Sequence, residues 1–285
     1  MMLITGATGL CGAQIVKELV RQGVPLRALV RDRSKASILP SDGVEIVQGD
    51  MSRPYTLDEA LTGVDKALLI SSGDARMLET QCRFIDACKS AGVAHVVKFS
   101  GDEEGFDRSK FRFTDMHAQA EVYLERSGLA WTHLRPCGFM QVYLREANAI
   151  KQKGELRLAA GDITLAPIDV ADIARIAAAV LQAPKQEGRS HLMTGPEALT
   201  MFQIAELISK EAGRPVNYVP ITPEQRREEL LAAGASPYFA DALCEQATER
   251  LRNPNAAVHL ASHREFNVTP TSFTHFIKRN VSVFQ

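Results

Sequence analysis

Eight residues near the start of the chain, Thr5-Gly-Ala-Thr-Gly-Leu-Cys-Gly12, have the types and spacing needed to hold a pyrophosphate. Gly6 permits a sharp exit from a strand, and Gly9 lets the backbone close on an anion. Gly12 removes a side chain where helix and sheet must pack closely. Leu3 and Ile4 precede the loop as a short apolar run, and Ile15, Val16, Leu19 and Val20 follow with helical periodicity. The first-turn amides, around Thr8, Leu10 and Cys11, then face the anion with the positive end of the helix dipole behind them.

The other candidates stand where strands are expected to end. Arg31 follows the apolar run Pro25–Val30, where an acidic residue would accept from a ribose 2′-hydroxyl and an arginine would pair with a 2′-phosphate. Arg31 and its neighbour Asp32 should point to opposite sides, which favours NADP(H) over NAD(H). The alternative is a solvated charge cluster with Arg33 and Lys35. Asp50 and Met51 end a third strand, where they would flank an adenine or cap the next turn. Ser71 and Ser72 end a fourth, small enough for a ribose and nicotinamide to approach. Ser100 ends a fifth and either meets a substrate or closes a turn. His117 is the candidate catalytic group, since imidazole titrates near neutral pH; otherwise it is a packed helix histidine. Phe139, Met140 and Tyr143 would line an aromatic acceptor pocket or belong to the core. His259 and His263 have helical spacing, but nothing beside them completes a metal site, and no Gly-x-Ser-x-Gly elbow is present.

The elements positioning these residues alternate. Strands are expected at residues 25–30, 44–47, 66–70, 95–99 and 131–134 after the first, with helices at about 77–91 and 114–126. That rhythm specifies a doubly wound α/β fold with a parallel Rossmann sheet. From Arg135 it changes: helices are expected at about 139–150, from Asp169 to before Pro184, from Thr200 to Gly213, at 223–233, 237–252 and 271–281, with a further strand at 191–195. The division expected is a dinucleotide-binding domain over 1–135 and a smaller, mostly helical substrate lobe over 136–285 that returns elements to the sheet. Apolar residues make up 45% of the 285, enough for a sizeable core, and the net charge of −1 offers no footprint for nucleic acid. No run approaches membrane-spanning length, and five cysteines without a CxxC pair read as reduced thiols, so a cytoplasmic protein is expected. Its exposed helices are candidates for pairing as a homodimer. The acidic run Asp102-Glu103-Glu104 is expected to be solvated or to form a lid.

These motifs resemble the atypical short-chain dehydrogenases/reductases and, more narrowly, the NmrA-like family. That family includes triphenylmethane-dye reductases, NADPH-dependent quinone reductases and redox-sensing regulators. The matching segments are Thr5–Gly12, Val30-Arg31, Gly49-Asp50, His117–Glu121, Trp131–Pro136, Ile168–Asp172 and Thr194–Pro196, with the resemblance running to about residue 235. It implies NADP(H) binding by the glycines and Arg31, with Pro136 among the contacts. One departure matters. The superfamily usually works through Tyr-x-x-x-Lys, but the five tyrosines here are followed four residues later by Glu59, Ser127, Ala147, Thr222 and Ala242. Alignment on the helix puts Phe113 and His117 in the place of that pair. Reduction of an isolated carbonyl, which leaves an alkoxide in need of a proton, is therefore disfavoured. Two functions remain: hydride transfer to a conjugated acceptor such as a quinone or dye, or a non-catalytic NADP(H) sensor acting through a protein partner.

Overall fold

The computed structural model describes residues 1–101 and 107–285; the acidic run at 102–104 lies outside the described residues. Eleven strands are described: β1 (Met2–Ile4), β2 (Leu26–Val30), β3 (Val44–Gln48), β4 (Lys66–Leu69), β5 (His95–Phe99), β6 (Ala130–Pro136), β7 (Glu155–Leu158), β8 (Thr164–Leu165), β9 (Arg189–Met193), β10 (Leu199–Thr200) and β11 (Asn217–Pro220). Seven of them form one sheet in the order β3-β2-β1-β4-β5-β6-β9, and every neighbouring pair is parallel. The order reverses between β1 and β4, and a crevice opens at such a point beyond the carboxyl ends of the strands. The seventh strand comes from the C-terminal half, with Thr132 opposite Arg189 and Pro136 opposite Met193.

Helices cover both faces, as a parallel sheet requires. The described helices are α1 (Leu10–Arg21), α2 (Asp58–Leu61), α3 (Met77–Ser90), α4 (Arg112–Arg126), α5 (Ala147–Lys153), α6 (Val170–Gln182), α7 (Met201–Ala212), α8 (Pro223–Ala232), α9 (Pro237–Arg252), α10 (Ala261–Glu265) and α11 (Phe273–Arg279). On one face α1 lies against α6, whose Ala174, Ala177 and Ala178 leave room for Ile15 and Leu19. On the other face Phe84, Ile85, Cys88 and Leu124 of α3 and α4 pack on the strands. A third apolar cluster, with Met140, Tyr143, Ile204, Ile208, Phe273 and Phe276, lies in the C-terminal half.

Local chemistry explains the boundaries. Thr200 and Thr222 each cap a helix reciprocally with Gln203 and Gln225. Gly213 ends α7 in the left-handed region at φ 68°. Asp169 caps α6 by accepting from the amide of Ala171 at 3.0 Å, as its position before Val170 predicts. Buried Asp172 accepts from the amide and hydroxyl of Thr271, each at 2.7 Å, which ties the C-terminal segment to α6. The helix expected over 139–150 is broken instead. A 3-10 stretch over Met140–Glu146 passes into α5 at Ala147, because Met140 and Tyr143 must both turn inward. Short strands are expected through Gly154, Gly161 and Pro167, and β7 and β8 lie there; their pairing with β11 and β10 is not legible, because runs of two to four residues carry too little periodicity.

Candidate functional site

A cleft of about 1240 Å³ runs across the carboxyl ends of the strands, larger than a drug-sized ligand needs. One end is built from backbone. A Cβ on Gly12 would sit 2.2 Å from the carbonyl oxygen of Gly6, so no side chain fits there. Gly6 itself has φ +58°, and a Cβ there would press on Ile70 at 2.9 Å. Gly9 differs: its backbone is ordinary and its nearest obstacle, the Gly6 carbonyl, is 3.2 Å away. With that single neighbour, a bare Gly9 leaves its backbone accessible to a close-approaching ligand. Gly9 is also the N-cap of α1 and offers no side-chain acceptor, so the amides of Leu10, Cys11 and Gly12 lack intrahelical partners. These groups fit a pyrophosphate. Thr8, Leu10 and Cys11 all border the cleft, although the Cys11 thiol is buried and pushed up to about 12.

Arg31, Asp32 and Lys35, which follow β2 next to the glycine loop, rim the same end of the cleft. The Asp32 carboxylate is taken up locally, accepting from the Ser34 amide at 2.9 Å and its hydroxyl at 2.7 Å. The Arg31 guanidinium has no hydrogen bond or ion pair among the described residues, which leaves its fork open to an incoming phosphate. Asp50 and Met51, which follow the edge strand β3, border the cleft beyond Arg31. Asp50 accepts from the amide of Ser52 at 2.9 Å and its hydroxyl at 2.8 Å, so it caps the following turn. Burial pushes its carboxyl up, but those bonds and the charges of Arg31 and Arg53 outweigh it and hold it low. Ser71, Ser72, Ser100 and Pro136 line the middle, with the Ser71 hydroxyl accepting from Gln81 at 2.8 Å.

Side chains build the opposite end. Phe113, Phe139, Val142, Tyr143, Phe239 and Leu243 surround it. Tyr143 lies edge-on to Phe273 at 5.1 Å, so it serves both core and cleft. Met140 does not line this wall as expected. It is 1% exposed in the apolar cluster with Tyr143, because the 3-10 turn rotates it inward. Helix α9 reaches over this end and is held to the start of α4: Arg112 pairs with both carboxylate oxygens of Glu245 and stacks 4.5 Å over the ring of Tyr238.

His117 borders the cleft beside Gly101, and a Cβ on that glycine would stand 3.7 Å from His117 Nε2. Its titration differs from expectation. Burial and the neighbouring Lys98 drive the imidazole well below its ordinary range, so it is neutral at neutral pH. Lys98 is the residue that sequence reading missed. It is fully buried on β5, with Nζ 3.0 Å from both Ser100 Oγ and His117 Nδ1. A lysine on the same strand face as Val96, within the run His95-Val-Val-Lys-Phe99, was the available signal. His259 and His263 do not share a helix face: His259 precedes α10, where its amide donates to Thr194, and His263 is buried 3.6 Å from Asp172.

The NmrA-like family model matches residues 1–252. The chain belongs to the NmrA-like family. The match runs past the segments legible as motifs and takes in all of α9. An NAD(P)H azoreductase of Xenophilus azovorans is 37% identical over 245 residues, 86% of this chain and 85% of the relative. Quinone oxidoreductase 2 of Escherichia coli is 33% identical over 249 residues, 86% of each chain. The solved structure of the NADPH-dependent quinone oxidoreductase QOR2 from Escherichia coli complexed with NADPH superimposes with a TM-score of 0.86 at 28% identity, covering 99% of both chains. Among the described residues of this chain no helix is long and apolar enough to cross a membrane.

Proposed function

We propose that this protein is an NADP(H)-dependent reductase that passes hydride to a flat conjugated acceptor, such as a quinone or azo compound, without a Tyr-x-x-x-Lys pair. The observation that carries the reading is one continuous cleft with an open guanidinium at one end and an aromatic-walled chamber at the other. The pyrophosphate falls to the amides of Leu10, Cys11 and Gly12, and the 2′-phosphate to Arg31 with Lys35 nearby. Ser71, Ser72, Ser100 and Pro136 then border the ribose and nicotinamide, and Met51 the adenine. When bound, the reduced cofactor supplies hydride at its nicotinamide. Phe113, Phe139 and Tyr143 hold the acceptor in register, and α9 excludes water. His117 Nε2 is the polar group offered to the acceptor's heteroatom.

The names of two relatives, an azoreductase and a quinone oxidoreductase, support acceptors of this kind. Conjugation matters physically. Hydride delivered to a quinone leaves a delocalised oxyanion, so positioning supplies much of the rate and acid catalysis less. The test follows NADPH absorbance against a panel of quinones, azo compounds and cationic triarylmethane dyes, with NADH in parallel. Turnover is expected with NADPH well above NADH. NADPH binding without turnover of any acceptor would overturn the reductase and leave the sensor.

A further inference from the structure

Lys98 occupies an unusual place. Parallel strands covered on both faces are normally apolar, and a fully buried ammonium is expensive unless it is partnered. Its partners here lead to the cleft. Nζ donates to Ser100 Oγ at 3.0 Å and lies 3.0 Å from His117 Nδ1. An ammonium has donors and no acceptor. The ring nitrogen facing it must therefore accept, and the proton of the neutral imidazole then sits on Nε2, the atom beside Gly101 at the cleft.

We propose that Lys98 is a positioning residue and proton source: it holds His117 as the Nε2–H tautomer and replaces the proton that this N–H gives to the acceptor. The proposal rests on the reductase reading and assigns a second residue to it. In the step, the acceptor gains two electrons and one hydrogen as hydride from the reduced nicotinamide. An O–H or N–H bond forms on the acceptor as the Nε2–H bond breaks. A new N–H bond forms at Nδ1 as one breaks at Nζ, leaving Lys98 as the amine. Reprotonation of Nε2 from water returns the Nδ1 proton to Lys98, so the net proton comes from solvent.

The surroundings permit Lys98 to change charge. Burial, then Arg135 of β6, lowers its affinity for a proton, while Glu121 of α4 and Cys82 of α3 oppose this; together they bring Lys98 from 10.5 to about 7. The other charged or titratable groups on this side are His117 of α4, and His133 of β6 with its partner Glu125. Glu121 is itself committed to Arg135, with the guanidinium Nε donating at 2.9 Å. Both protonation states of Lys98 are thus accessible near neutral pH, as a reusable proton source requires.

The acceptors themselves separate the roles. A cationic triarylmethane dye takes hydride and becomes neutral with no proton, whereas a quinone or azo compound needs one. Lys98→Met should slow quinone reduction roughly tenfold, below the usual 10²–10⁴ of acid catalysis because the oxyanion is delocalised. Dye reduction should stay within about twofold, since no proton moves and binding is uniform. The decline in quinone turnover above pH 7 in the wild type should vanish in the variant. Equal losses on both acceptors, or none on either, would overturn the proposal. A second measurement is independent of turnover and of the variant's folding: ¹⁵N NMR of histidine-labelled wild type without cofactor, with His117 assigned by its loss in His117→Phe. It should show the Nε2–H form, and an Nδ1–H form would sink the proposal even if every acceptor is reduced. If no acceptor is reduced but the Nε2–H form is present, the reductase reading fails while the positioning by Lys98 stands.

Discussion

The two ends of the cleft are made of different materials. The glycine-loop end is backbone from one stretch of twelve residues, packed so tightly that Gly6, Gly12 and Ile70 leave no room for an extra atom. The acceptor end is side chains from β5, α4, the 3-10 turn after β6, and α9, brought together over more than a hundred residues. Backbone in close contact cannot relax, whereas side chains can change rotamer. Substitutions at the first end should therefore act all-or-none, and at the second they should be graded and depend on the acceptor.

Gly12→Ala tests the rigid end with the largest expected effect. Its Cβ would stand 2.2 Å from a carbonyl oxygen, so α1 must lift from the loop. NADPH affinity should fall by more than about 100-fold, with a stability loss of roughly 3 kcal/mol from overpacking. Fluorescence titration with NADPH and thermal unfolding measure the two. Gly9→Ala sharpens the contrast, because it meets the protein only at 3.2 Å: a folded protein with poor NADPH binding is expected. If both variants bind normally, the rigidity argument fails.

Arg31→Ala should be next, and it is selective. Losing a charge-assisted fork to phosphate costs about 2 kcal/mol, or roughly 30-fold in NADPH affinity. NADH affinity should hardly change, because its ribose carries no phosphate. Equal loss for both cofactors would move the guanidinium to another role.

The buried lysine gives the acceptor end its own signature in stability. Lys98 binds its proton less tightly in the folded protein, about 7 against 10.5. Between those values the unfolded chain holds more protons, so the contribution of Lys98 to stability rises with pH and the full penalty applies below 7. From pH 7 to 9 the stability of wild type relative to Lys98→Met should rise by about 2 kcal/mol. Subtracting the variant cancels the cysteines and other lysines. Urea unfolding at the two pH values measures it, and a flat difference would mean that Lys98 keeps its ordinary affinity.

Legibility followed the same division. Strand–turn–helix periodicity and three glycines suffice for the sheet and the pyrophosphate end, because each depends on residues adjacent in the chain. Arg31 was readable as the first polar residue after an apolar run, and Asp32, which clouded that reading, turns out to be consumed by Ser34. Lys98 was hidden: a lone lysine in a strand run resembles a solvated edge residue until the topology buries β5 between β4 and β6. The neutrality of His117 was unreadable for the same reason, since it depends first on burial and then on a residue nineteen positions away. Met140 misled because a helical period was assumed where the chain makes a 3-10 turn.

The smallest effect tests whether α9 is part of the acceptor wall or only a neighbour of it. Arg112 grips both oxygens of Glu245 and covers the ring of Tyr238, and its side chain is 28% exposed against 32% for its partner. A pair that open is screened, so its loss costs only about 1 kcal/mol. Arg112→Ala should therefore leave the fold and NADPH affinity intact and loosen α9, with its Phe239, over Phe113. The expected result is a KM for the acceptor raised about fivefold, with kcat changed less, because uniform binding is lost rather than contacts specific to the transition state. Arg112→Lys retains the charge without the fork and should fall between. A larger effect on NADPH affinity than on acceptor KM would tie α9 to the cofactor end and erase the distinction between the two halves of the cleft.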